Sequence, residues 1–293
     1  MSRAGFVALA GRPNVGKSTL LNALVGDKVA IVSDRPQTTR RAIRGVILSG
    51  ETQLVLVDLP GVQRPQDALT ARMAARVQQE LAGSDAALLM LNGEQGVGPG
   101  DRFIARTLAS GQIPVTIAVN KIDRLRGPAL LAALAQVEEL SLDAEVFPIS
   151  ARRGTGVGAL LEYLAAQMPR GPFLFEADTK SDQPREQLLA ELIREAVIRR
   201  TFKEVPHAVE VVVEEVEAPR EDLARVRALI WVESESQKAI LIGAHGRMIK
   251  AIGIAARREL ERELATHVHL DLSVRVRRGW RADDALLDRL GIT

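Results

Sequence analysis

Apolar residues in the first half of the chain fall in short unbroken runs with amphipathic stretches between them. Residues 6–10 (FVALA), 86–91 (AALLML) and 114–119 (PVTIAV) are almost free of polar side chains. Strands covered on both faces of a sheet look like this, because neither side of the strand meets water. Helices are expected over 20–25, around 68–81 and near 102–108. Residues 42–48 and 52–57 flank Ser49-Gly50 in the manner of a hairpin, and another strand is expected over 145–149. Strands alternating with helices predict a doubly wound, mostly parallel α/β sheet carrying one antiparallel hairpin.

The pattern changes near residue 168. Residues 168–184 (MPRGPFLFEADTKSDQP) hold three prolines and no periodicity. They predict a boundary, giving domains at 1–168 and 185–293 with a linker at 169–184. Beyond it, Leu188, Leu189, Leu192, Ile193, Ala196 and Val197 form a helical stripe. Strands are expected over 208–216 and 228–232 with a charged loop between them. Two helices joined at Gly243 to Gly246 come next. A closing strand over 267–277 turns Val268, Leu270, Leu272, Val274 and Val276 one way and polar residues the other. This second domain is α+β.

Composition removes several classes of function. At 293 residues and 46% apolar content, the chain suits two globular domains with separate cores. It has no cysteine, which excludes disulfides, zinc-thiolate sites and thiol nucleophiles. The first strand starts too early for a signal peptide and the longest apolar run is too short for a bilayer, so a cytosolic chain is expected. The formal net charge is only +2, yet residues 247–281 carry nine Lys or Arg against four Asp or Glu. A local basic patch of this kind suits a phosphate backbone. Trp280 lies at its end, able to stack on a base or to plug the core.

Candidate chemistry concentrates after the first strand. Gly11, Arg12, Pro13, Asn14, Val15, Gly16, Lys17, Ser18 and Thr19 follow the phosphate-loop spacing Gly-x4-Gly-Lys-Ser. Such a loop curls its N–H groups round an anion at a helix N-terminus. Lys17 would reach the β- and γ-phosphates, and Ser18 would reach Mg²⁺. Residues 26–41 then lack periodicity and contain Thr38 and Thr39, either of which could meet Mg²⁺ and the γ-phosphate as a switch. Asp58, Leu59, Pro60 and Gly61 end a strand, with Asp58 placed to hold Mg²⁺ and Gly61 to bring its N–H to the γ-phosphate. Val62 follows directly.

Asn120, Lys121, Ile122 and Asp123 decide the base. The Asp123 carboxylate can accept from N1–H and the 2-amino group of guanine, whereas adenine would leave it unpaired. Asn120 would brace the loop, with the Lys121 stem over the ring. Ser150 and Ala151 end the next strand, with the Ala151 N–H available to guanine O6. An ATPase is opposed by Asp123. In the second half, Gly243-x-x-Gly246 between two helices matches the K-homology loop, which brings main-chain N–H groups close to nucleotides. Candidate RNA contacts are Ile242, Gly243, Ala244, His245, Gly246, Arg247, Lys250, Arg257, Arg275 and Arg277.

With GRPNVGKST, QTTRR, DLPG, NKID and SA in order, followed by a GxxG-bearing half, the chain resembles the Era GTPases throughout its length. The resemblance implies a P-loop GTPase domain followed by a type II K-homology domain. It implies GTP and GDP as ligands, Mg²⁺ as cofactor, and binding to the 3′ end of small-subunit (16S) ribosomal RNA during maturation of the 30S subunit. It also implies a cytoplasmic protein with peripheral contact at the inner membrane, expected to act as a monomer. Slow turnover is implied, since Val62 stands where many small GTPases carry a water-orienting Gln. Asn14 is similar to the asparagine that helps hold an activating K⁺ in related GTPases. Two positions depart from the family: DLPG replaces DTPG, and Ala244-His245 replaces the usual Lys-bearing pair. A contrasting reading is an RNA-binding assembly factor whose nucleotide serves structure only.

Overall fold

The computed structural model describes residues 2–35, 38–61, 66–111 and 113–292. The first domain runs β1 (Arg3–Ala10), α1 (Lys17–Val25), β2 (Ile43–Ser49), β3 (Thr52–Asp58), α2 (Ala68–Ala82), β4 (Ala86–Asn92), α3 (Pro99–Ala109), β5 (Val115–Asn120), α4 (Gly127–Ala135), β6 (Val146–Pro148) and α5 (Val157–Gln167). Its six strands lie in the order β2-β3-β1-β4-β5-β6. Only β2 runs antiparallel to its neighbour. The period of two along each strand sorts side chains between two cores. From β4, Leu88 and Met90 pack with Leu20 and Leu21 of α1 and Leu160 and Leu164 of α5. Leu89 and Leu91 go to the opposite face, against Ile104 and Leu108 of α3. Every residue of β4 is buried, which is why its run is uninterrupted.

Helix α3 begins a turn before the expected residue 102. Pro99 occupies the first turn, where its missing N–H costs nothing, and Asp101 accepts from the Gly98 N–H at 2.9 Å. The linker is not a free tether. The Ala4 N–H bonds the Pro169 carbonyl at 3.1 Å, Val46 N–H bonds Lys180 O at 2.9 Å, and the buried Gln53 amide holds Leu174 and Phe175. Residues 169–181 therefore cross the β3-β2 edge of the sheet as a strap.

The second domain runs α6 (Arg185–Ile198), α7 (Val205–Ala208), β7 (Glu210–Arg220), β8 (Leu223–Val232), α8 (Glu235–Ile242), α9 (Arg247–Leu264), β9 (His267–Val276) and α10 (Asp284–Arg289). The sheet order is β7-β8-β9, with β8 antiparallel to β7 and parallel to β9. Helices α6, α8 and α9 cover one face through Leu189, Leu192, Leu241, Ile252, Ala256 and Leu260. Residues expected as a charged loop between two short strands are mostly strand. Arg225 and Arg227 point away from this core and meet Glu217 and Glu215 across the hairpin at 3.7 and 2.9 Å, while Ala224 and Val226 are buried. Cross-strand charge pairing makes a polar face compatible with a strand.

The domains pack together through α2 and the C-terminal segment. Leu69 and Met73 join Trp280, Leu286, Leu287 and Ile292 in one apolar cluster. Trp280 is fully buried and its indole N–H donates to the Ala208 carbonyl at 3.0 Å. Of its two expected roles it takes the plug. Trp280→Ala should lower stability in urea unfolding by about 3–5 kcal/mol through the cavity it leaves. Trp280→Phe keeps most of the volume but strands the Ala208 carbonyl, and should cost about 1–3 kcal/mol.

Candidate functional site

Ligand groups in an open α/β sheet gather beyond the carboxyl ends of the strands, where the order reverses. Here that point is β1, with β3 on one side and β4 on the other. The chain leaves Ala10 and curls through Gly11, Asn14 and Gly16 at φ 153, 64 and 105° into α1. A Cβ on Gly16 would lie 2.2 Å from Asn120 Nδ2, so the loop and the base-binding segment interlock only because that side chain is absent. Buried Lys17 donates from Nζ to the Gly11 and Arg12 carbonyls, both at 3.2 Å. Burial lowers its pKa, and Asp58 opposes that shift. Arg12 reaches out of the loop to Asp101, 2.8 Å away, which ties the loop to the start of α3.

Asp58 closes β3 with no exposed surface. Its Oδ2 accepts from Ser18 Oγ at 2.5 Å and from Thr39 Oγ1 at 3.3 Å, and the two hydroxyls stand 3.2 Å apart. Thr38 turns away and donates to the Arg35 carbonyl at 2.7 Å. Of the two threonines left open by the sequence, the fold brings Thr39 to the cluster. Among the described residues Asp58 Oδ1 has no hydrogen-bond partner. Burial raises the Asp58 pKa against the pull of Lys17, Ser18 and Thr39. A set of hard oxygens round an orphaned, desolvated carboxylate oxygen fits Mg²⁺. Leu59 and Pro60 are buried beneath, and Gly61 lies against Pro13, where a Cβ would come within 2.8 Å of the Pro13 nitrogen. Val62 lies outside the described residues.

The base-binding segment is built from the ends of β5 and β6. Asn120 spans three pieces of chain: its Nδ2 donates to Val15 O at 2.8 Å and its Oδ1 accepts from the Ala151 N–H at 2.9 Å. The Ala151 N–H, expected to face the base, is thus taken by Asn120. Ile122 N–H reaches back to Ile149 O at 3.2 Å. Ser150 Oγ donates to Asp123 Oδ1 at 2.7 Å, and this bond holds the Asp123 carboxyl below its ordinary range. Asp123 is therefore an ionised acceptor at neutral pH. Lys121 sits at φ 69°, and burial lowers its pKa.

In the second domain, Gly243 and Gly246 adopt φ 69 and 74°, with His245 at 53° between them. Arg247 folds back to donate to Ala244 O at 3.3 Å. Ile242 ends α8 and stays partly exposed. A groove of about 420 Å³ runs along α9 and β9, with Lys250 and Arg257 on its helical wall and His269 on the strand. His269 was not among the expected contacts; its place on the edge strand beside α9 is a tertiary fact. Arg275 and Arg277 do not line this groove. Near the far end of that strand, Arg275 is in register with Trp231, and the Arg277 guanidinium lies 6.0 Å from the Trp231 ring. Alternation packs Leu270 and Leu272 against the core and puts His269 and Arg275 on the other face of β9, and distance along the strand leaves His269 beside the groove and Arg275 beyond it.

Residues 6–121 match the model of the 50S ribosome-binding GTPase family, and residues 204–281 match the KH domain model. GTPase Era of Mycobacterium leprae is 46% identical over 296 residues, covering 99% of this chain and 98% of the relative. The chain belongs to the Era GTPase family. A crystal structure of Era with MgGDPNP and nucleotides 1506–1542 of 16S ribosomal RNA superposes with a TM-score of 0.95 at 33% identity, covering all of both chains. A variant of Aquifex aeolicus Era bound to GDP and AlF4⁻ gives 0.94 at 34% identity over 99% of each chain. Asp123→Asn should weaken GTP binding by about 3 kcal/mol, since it loses two charge-assisted acceptor contacts. Its new amide would donate to a carbonyl at position 2, so xanthosine triphosphate should gain affinity. Competition against a fluorescent GTP analogue measures both changes.

Proposed function

We propose that this protein is a GTP-hydrolysing switch that binds the 3′ end of small-subunit ribosomal RNA and assists maturation of the small subunit. The observation that carries this reading is one chain holding both the Ser18–Thr39–Asp58 oxygen cluster and the GxxG turn at the head of a basic groove. Their full-length likeness to Era in complex with MgGDPNP and a 16S fragment supports it.

Hydrolysis here is positioning and electrostatics. Lys17 and the main-chain N–H groups of residues 11–18, Pro13 apart, would meet the oxygens that gain charge as the γ-phosphoryl group moves to water. Ser18, Thr39 and Asp58 are the residues that would hold Mg²⁺, which neutralises the β- and γ-phosphate oxygens when bound. Thr39 can serve there only while its loop is folded in, so that loop senses the γ-phosphate. Asp123 selects guanine. The GxxG turn and the groove beside it offer main-chain N–H groups, Lys250 and Arg257 to a phosphate backbone, and apolar Ile249 and Ile254 to bases.

Among the described residues no single helix is long and apolar enough to cross a membrane. A cytosolic monomer is the working state, and peripheral membrane contact rests on the family resemblance alone. Asn14, at φ 64° with its amide donating to Asp34 O at 2.6 Å, joins the phosphate loop to the switch segment. We infer that it also helps hold an activating K⁺.

Fluorescence anisotropy with a labelled 16S 3′-end RNA tests the switch. The triphosphate-analogue form should bind roughly tenfold tighter than the GDP form, and Gly243→Asp/Gly246→Asp should abolish binding to both. Equal affinity in the two states would reduce the nucleotide to a structural ligand. Turnover should be faster in K⁺ than in Na⁺, and Asn14→Ala should remove the difference; equal rates in wild-type protein would dismiss the K⁺ site.

A further inference from the structure

The segment that carries Thr39 is fastened to the second domain on both sides of that residue. On one side, the Thr38 carbonyl accepts from the guanidinium of Arg194 on α6. On the other, Arg40 donates to Glu210 Oε2 at 2.6 Å, Val209 O at 2.7 Å and His207 O at 2.8 Å. Arg41 donates to Glu191 Oε1 at 2.8 Å, Glu210 Oε1 at 3.2 Å and Leu290 O at 2.6 Å. Further back, Ile31 sits within the apolar core of the second domain, and Lys28 pairs with Glu195 and Glu259 at 2.6 and 3.0 Å.

The five charged groups are sealed from solvent: Arg40 and Arg194 are 2% and 0% exposed, and Glu191, Glu210 and Arg41 are buried with them. Trp280 covers Arg40, its ring centre 5.4 Å from the guanidinium carbon. Burial works against the Glu210 carboxylate, but Arg41, Arg40 and Arg194 together bring its pKa down to about 2. Glu210 is therefore ionised at neutral pH. Removing either glutamate from this set leaves a further buried arginine without a counter-charge.

Thr39 meets Ser18 and Asp58 with its hydroxyl while residues 38, 40 and 41 are held by the other domain. We propose that Arg194, Glu191 and Glu210 are positioning residues for the GTPase centre, and that the second domain sets Thr39 against the Mg²⁺ pole. The proposal rests on the GTPase reading of the Gly11–Thr19 site. None of the three touches nucleotide; each acts through the main chain or the arginines beside Thr39. Because coupling between two sites is reciprocal, docking the second domain favours the triphosphate state as much as the triphosphate favours docking.

Arg194→Met is the informative variant. It keeps the buried stem and releases the Thr38 carbonyl, and the cluster passes from three arginines and two glutamates to two of each. In the full-length protein, GDP affinity should stay within about twofold, because Thr39 serves the γ-phosphate pole, while affinity for a non-hydrolysable GTP analogue falls roughly tenfold. kcat should fall as well. Retained GDP binding shows that the first domain is folded, and Glu210→Gln gives a second measurement of the same ratio. Arg72→Ala is the control: it removes ion pairs to Asp284 and Asp288 at the same domain interface, away from Thr39, and should leave the ratio unchanged. An unaltered analogue-to-GDP ratio in both cluster variants would overturn the proposal. So would an equal fall in Arg72→Ala, which would make general docking the cause. Failure of the wild-type protein to bind either nucleotide would instead refute the GTPase reading itself.

Discussion

A parallel sheet covered on both faces leaves its polar groups one place to emerge, the ends of its strands. Leu88 and Met90 go to one core and Leu89 and Leu91 to the other, so β4 is apolar over residues 86–91. β1, β3 and β5 are likewise apolar over residues 7–10, 54–57 and 117–119, and there the chain runs into Gly11, Asp58 and Asn120. Three segments distant in sequence therefore open on one rim. Burial then gives the rim its chemistry. Lys17 and Asp58 are desolvated, which makes each a strong partner for a charged ligand.

The rim is held rigid by side chains that also belong to the recognition set. Asn120 ties Val15 to Ala151, and Ser150 fixes Asp123. Such bonds hold loops with few apolar contacts of their own in place. Gly16 is part of the same arrangement, since only an absent side chain lets Asn120 lie across the phosphate loop. The loop of residues 11–18 and the segments that carry Asn120 and Ser150 are one hydrogen-bonded unit.

The second domain is more than an appended binding module. Its helix α6 and strand β7 carry the acids that receive Arg40 and Arg41, and its C-terminal segment places Trp280 over them. The switch segment has one polar edge facing Asp58 and another locked into an interface. Two adjacent threonines and two adjacent arginines thus serve different neighbours. Thr39 and Arg40 are consecutive, yet one belongs to the nucleotide site and the other to the domain contact.

Local pattern determined a great deal here. Runs almost free of polar residues marked β1, β4 and β5 because burial on both faces favours apolar side chains. The spacing GxxxxGKS marked the phosphate loop because main-chain geometry needs those residue types in that order. Asp123 pointed to guanine because the expected hydrogen-bond chemistry is carried by one side chain. What pattern could not hold was anything that depends on which surfaces meet. Thr38 and Thr39 have the same side chain, and only the packing of residues 38–41 against α6 and β7 turns one toward Asp58 and the other away. Arg275 shares a face of β9 with His269, but its place along the strand sets it and Arg277 near Trp231 while His269 lies beside the groove. The charged stretch 217–227 became strand because Glu215 and Glu217 found Arg227 and Arg225 across a hairpin. Sequence specifies what each residue can bond; tertiary structure decides which partner it reaches.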